Sequence, residues 1–151
     1  MITNISLTTV FVKDIEESKR FYVDVLGFAE GDDVDLGDYR WCTVQHPSQP
    51  ELHVHLAVPG PPFSPEMVSA MERSLDEGGM NSVGVHVDDC RATVADLKAK
   101  GVQFIQEPEE RPYGVEALMR DNSGNWMVLV EPREFDPRQM EADAAAASAG
   151  S

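Results

Sequence analysis

Cysteine is nearly missing from this 151-residue chain. There are two, Cys42 and Cys90, with no CxxC pair and no Cys/His run, so neither a disulfide framework nor a zinc knuckle is readable. A chain of this length folds without such staples. Basic residues are scarce as well: 12 Lys and Arg stand against 27 Asp and Glu, a formal net charge of −15. That surface repels phosphate backbones, and nucleic acid is excluded as an expected partner. No apolar run approaches the roughly 18 residues of a membrane span, and no basic cluster leads an apolar N-terminal stretch. The expectation is a soluble, unprocessed, cytoplasmic protein with no membrane partner. Aromatics make up only 7% of the chain, yet five of the eleven (Phe11, Tyr39, Trp41, Tyr113 and Trp126) fall in or beside expected strands.

What is present is a pattern that changes period. Ile5 to Val12 is apolar and β-branched, as a strand requires. Asp14 follows as an N-cap, Glu16 and Glu17 complement the helix dipole, and Gly27 closes a helix whose apolar set is Ile15, Phe21, Tyr22, Val25 and Leu26. Three extended pieces come next, around Phe28 to Glu30, Tyr39 to Gln45 and Glu51 to Val58. A Pro-rich connection leads to a short helix capped by Ser64, with Pro65 at its first position, ending at Gly78-Gly79.

The second half then repeats the first. Val12-Lys13-Asp14, a helix and Gly27-Phe28 recur as Val87-Asp88-Asp89, a helix from Cys90 and Gly101-Val102, displaced by about 75 residues. Val83 to Val87, Phe104 to Gln106, Val115 to Arg120 and Asn125 to Val130 supply the matching strands, with Asp121 to Gly124 as a hairpin turn. The fold class is α+β: a βαβββ module over 1–58, a linker with a short helix over 59–80, and a second βαβββ module over 81–132. The Ala-rich tail, 133–151, has too little apolar bulk to order itself and is expected to be disordered.

Two such modules in tandem, with Val12-Lys13-Asp14-Ile15-Glu16, Val25-Leu26-Gly27-Phe28, Pro112-Tyr113-Gly114-Val115 and Arg120-Asp121-Asn122-Ser123-Gly124-Asn125 at their junctions, resemble the vicinal oxygen chelate superfamily. It groups glyoxalase I, bleomycin-resistance proteins and extradiol dioxygenases, and the second-module run resembles its glyoxalase-like bacterial branch. The resemblance implies paired half-barrels around a ligand cavity, closed by homodimerisation. It also implies four metal-ligand positions, which fall here on Leu7, His53, Ser82 and Val128. A Leu and a Val at two corners abolish the usual octahedral site, so no metal cofactor is expected.

Strand alternation places Leu7, Thr9, Phe11, His53, His55, Ser82, His86, Trp126 and Val128 in that cavity as ligand-binding residues. The facing of Trp41 stays open. Glu51 and His53, two apart on one strand, are the candidates for acid–base catalysis, and His53, His55 and His86 for a relocated divalent metal site. The reading this supports is a metal-independent protein binding a neutral or cationic small molecule, aromatic or amphipathic. Two alternatives differ in class: a metal-dependent lyase, isomerase or dioxygenase using the relocated histidines, and a protein-interaction module.

Overall fold

The structure, a computed structural model, describes residues 1–150. The first module runs β1 (Leu7–Phe11), α1 (Ile15–Arg20), β2 (Ala29–Asp35), β3 (Arg40–Gln45) and β4 (His53–Ala57). Asp14 caps α1 by accepting the Glu17 N–H, as its position before two acidic residues dictates. The expected single helix to Gly27 is instead α-helical only to Arg20, and Phe21–Val25 continue as a π-helical turn. After α2 (Pro65–Asp76), capped by Ser64, come β5 (Val85–His86), α3 (Cys90–Ala99), β6 (Phe104–Arg111), β7 (Gly114–Arg120) and β8 (Trp126–Pro132). Asp89 caps α3 by accepting the Ala92 N–H, so the two modules start their helices alike.

Each module folds into a four-stranded sheet, ordered β1-β4-β3-β2 and β5-β8-β7-β6, with the first and last strand of each module parallel. Alternation buries one face of each sheet beneath its helix. Val10, Val12, Cys42, Val44, Val54 and Leu56 of the first module merge there with Leu97, Met119, Met127 and Leu129 of the second into one core. The opposite face of each sheet carries no helix and is called the open face below.

The joint between modules is polar and buried. Tyr22, fully buried, donates its hydroxyl to Asp121 Oδ2 at 2.7 Å, and Asn125 Nδ2 reaches both Asp121 Oδ2 and the Phe11 carbonyl. Ser82, expected in the cavity, belongs to this joint instead: its hydroxyl lies 2.5 Å from Tyr22 Oη. The physical reason is one extra residue. Asn81 bridges Trp126 and Val85 pairs with Leu129, so four steps along the first strand match three along β8, and Ser82 turns toward the core.

The tail also differs from expectation. Asp136 accepts the Arg138 N–H, Pro137 sits in the first turn, and α4 (Pro137–Ala149) forms an alanine-rich helix that buries none of its residues. No helix among the described residues is long and apolar enough to cross a membrane.

Candidate functional site

The open face of the first sheet is built from alternate residues of β1, β3 and β4. Leu7 pairs with His53, Thr9 with His55, and Thr43 with His55, so these side chains share that face. Trp41, two residues before Thr43, lies with them, which settles its facing. Its ring stacks on the His55 imidazole with centroids 4.4 Å apart and an interplanar angle of 31°. Tyr39 Oη meets His55 Nε2 at 2.6 Å, and Thr9 Oγ1 stands 3.5 Å from His55 Nδ1. Burial pushes the His55 pKa down and favours the neutral ring. Phe11 sits at the edge of this face with Phe63 of the linker against it edge-on, 5.7 Å between centroids.

His53 is held differently. Its Nδ1 lies 2.9 Å from Thr43 Oγ1, which also accepts the Asp32 N–H. The β2 register shifts between Glu30 and Asp33, and Gly31 leaves space there that a Cβ would fill at 2.3 Å from Thr43 Oγ1.

The open face of the second sheet has another character. Trp126, 40% exposed, and Val128 and Val130 of β8 stand beside Arg120, Leu118 and Glu116, their register partners on β7. Glu116 receives Gln106 Nε2 and the Tyr113 hydroxyl, and Arg111 lies against it, so the carboxylate is already engaged. This face offers an apolar wall between two engaged charges, Glu116 at one end and Arg120, which donates to the Gly78 and Gly124 carbonyls, at the other.

Of the expected ligand-binding set, Leu7, Thr9, Phe11, His53 and His55 come together on the first face, and Trp126 and Val128 lie on the second. His86 is exposed on the short β5, away from the other two histidines. No group of three or more His, Cys, Asp or Glu side chains is arranged to hold a metal among the described residues. Glu51 is not on β4 at all: it is exposed in the turn before it, and its side chain has no partner among the described residues. The Glu51–His53 pairing therefore lacks the shared strand it was argued from. Sequence reasoning missed Thr43 and Gly31, although fixing the face of Trp41 would have delivered Thr43 by alternation.

A separate cleft of about 680 Å³ lies between the modules on the helix side, with walls that include Leu26, Phe28, Val54, Val85 and Met127 and with His86 at its margin. Apart from His86 and Gly84, it takes its sheet lining from the faces opposite the two described above.

Two βαβββ modules sharing one core, each with an uncovered sheet face, define a duplicated small-molecule-binding fold. Residues 4–129 match the Glyoxalase/Bleomycin resistance protein/Dioxygenase superfamily, and the chain belongs to it. It is similar to UcmS2, whose crystal structure superposes with a TM-score of 0.79 at 37% identity over 87% of this chain and 99% of that one. It is also similar to TnmS3, an antibiotic binding protein from Streptomyces sp. CB03234, with a TM-score of 0.70 at 27% identity over 87% of this chain and 98% of that one. An uncharacterized protein of Bacillus subtilis (strain 168), YurT, is 30% identical over 129 residues, 84% of this chain and 98% of its own.

Proposed function

We propose that this protein binds and sequesters a planar aromatic or amphipathic small molecule, neutral or cationic, on the open face of its first sheet, without a metal. The observation that carries this reading is the Trp41–His55 stack, backed by Tyr39 and flanked by Leu7 and Phe11, on a face that the chain's own helices leave uncovered. Flat rings on a strand face supply large contact area at little entropic cost and select flat ligands. The likeness to TnmS3, an antibiotic binding protein, supports a small molecule as the ligand.

Leu7, 44% exposed, and Trp126, 40% exposed, are apolar surface that a second chain would cover, and we place the working unit as a homodimer in which open faces meet. Two buried, unpaired thiols, Cys42 and Cys90, suit a reducing cytoplasm. The test is a screen of uncharged and cationic planar aromatics by tryptophan quenching, paired with sedimentation. A hit whose binding is abolished by Trp41→Ala, on a dimeric species, supports the reading. Hits that ignore Trp41 and are lost when Val85→Trp fills the cleft would move the site there.

A further inference from the structure

Building on the assignment of the ligand to the first open face, we infer that His53 is its specificity-determining polar group. It is a fixed Nε2–H donor that takes a planar ligand through an acceptor: a carbonyl, an ether oxygen or an aromatic nitrogen. Thr43 is its positioning residue.

The argument is a count of hydrogens. Thr43 is 0% exposed, so its hydroxyl cannot turn to water. One lone pair of Oγ1 takes the Asp32 N–H at 2.9 Å. The hydroxyl hydrogen needs an acceptor, and His53 Nδ1, at 2.9 Å, is the other partner of that oxygen. Were Nδ1 protonated, two N–H donors would converge on one oxygen and the hydroxyl hydrogen would be stranded in a buried site, which is the expensive arrangement. Nδ1 therefore accepts, and the neutral ring carries its hydrogen on Nε2.

Gly31 makes this lock available. A Cβ there would lie 2.3 Å from Thr43 Oγ1 and 2.9 Å from the Thr43 carbonyl oxygen, so a larger residue would displace the hydroxyl or the strand. The β2 bulge that holds Gly31 also turns the Asp32 N–H onto Thr43.

His53 Nε2 has no hydrogen-bond partner among the described residues, and the ring is partly exposed beside Leu7. The neighbouring imidazole is spoken for: His55 meets Tyr39 at Nε2, Thr9 at Nδ1 and Trp41 on its face. One free ring N–H and one aromatic plane on the same sheet face make a two-part recognition surface in which stacking supplies contact and the donor reads polarity. A ligand edge bearing only an N–H would face that donor head-on.

The experiment uses two soluble bicyclic probes of matched size, isoquinoline, which only accepts, and indole, which only donates, at mildly alkaline pH where both are uncharged. Imidazole ¹⁵N shifts in the free protein report the His53 tautomer, and amide shifts report where each probe binds. The expected result is Nε2–H at His53, isoquinoline bound on β1, β3 and β4 roughly fivefold more tightly than indole, and loss of that preference in Thr43→Val and His53→Ala. Thr43→Ser, which keeps the hydroxyl, should restore both tautomer and preference. An Nδ1–H tautomer, or equal affinities with both probes on this face, overturns the inference and leaves the proposed function standing. Shifts confined to the inter-module cleft overturn both.

Discussion

The two modules of this chain are the same object up to their helices and different objects beyond them. Both start a helix with an aspartate that accepts an N–H three residues on, and both end it at a glycine with positive φ, Gly27 and Gly101. Both bury one face of a four-stranded sheet in the shared core. On the open faces the likeness stops. Where the first module sets His55 opposite Thr9, the second, one rung on from the Val85–Leu129 pair, sets Val128 opposite Gly84. The helix side is constrained by packing, which tolerates little change. The open side carries less of the packing, so its chemistry is freer to be specialised in one module and left plain in the other.

The largest effect is expected where the modules depend on each other. Asp121 is buried and accepts from the Tyr22 hydroxyl, the Asn125 amide side chain and the backbone N–H groups of Ser123 and Asn125. Asp121→Ala strands four donors and should cost about 3 kcal/mol in chemical denaturation, enough to uncouple the two halves. A loss below about 1 kcal/mol would mean that the joint is held by the apolar core alone.

Binding should separate the faces next. Trp41→Ala is expected to weaken a planar ligand about tenfold or more in calorimetry, whereas Trp126→Ala, on the apolar wall of the other module, should cost less. Equal losses would show that both faces enclose the ligand symmetrically. The helix caps should do the opposite and fail to distinguish the modules. Asp14→Ala and Asp89→Ala should each lower stability by about 1 kcal/mol in urea unfolding, because each removes one cap of the same geometry.

The smallest expected effect belongs to His55 alone. Burial holds its folded pKa below the ordinary 6.5, so the unfolded chain takes up that proton first as the medium acidifies. Its contribution to stability is complete above 6.5 and is lost as pH falls from there toward the folded value. A pH series of melting temperatures should show this slope in the parent and not in His55→Phe.

Much of the repeat was legible because it is written in cap and turn residues, which act locally. Asp14, Asp89, Ser64, Gly27 and Gly101 each mark an element end that the structure keeps. The lengths of β2 and β6 were not legible. Asp32 and Asp33 in one, and Pro108, Glu109 and Glu110 in the other, argue against strand by propensity, yet both run on because β3 and β7 offer them a ladder. The site was readable to the extent that alternation is exact. Leu7, Thr9, His53 and His55 follow from it, whereas Ser82 fails because an inserted residue resets the count, and such an insertion leaves no trace in composition.

Those two acidic strands have a consequence at the level of whole molecules in solution. β2 and β6 each form one of the two edges of their sheets, opposite β1 and β5, with unspent backbone hydrogen-bonding capacity toward water. Each is broken by register shifts and studded with carboxylates: Glu30, Asp32, Asp33 and Asp35 in one, Glu107, Glu109 and Glu110 in the other. Part of the negative charge that repels phosphate at long range acts here at short range as a fence, keeping these rims from zipping onto another molecule's. Its firmest charges are Asp33, which Arg40 and Lys19 hold well below the usual carboxylate range, and Glu110, which Arg133 holds down. Replacing the rim carboxylates by Asn and Gln should remove the fence, and turbidity and thioflavin binding should then rise above those of the parent protein.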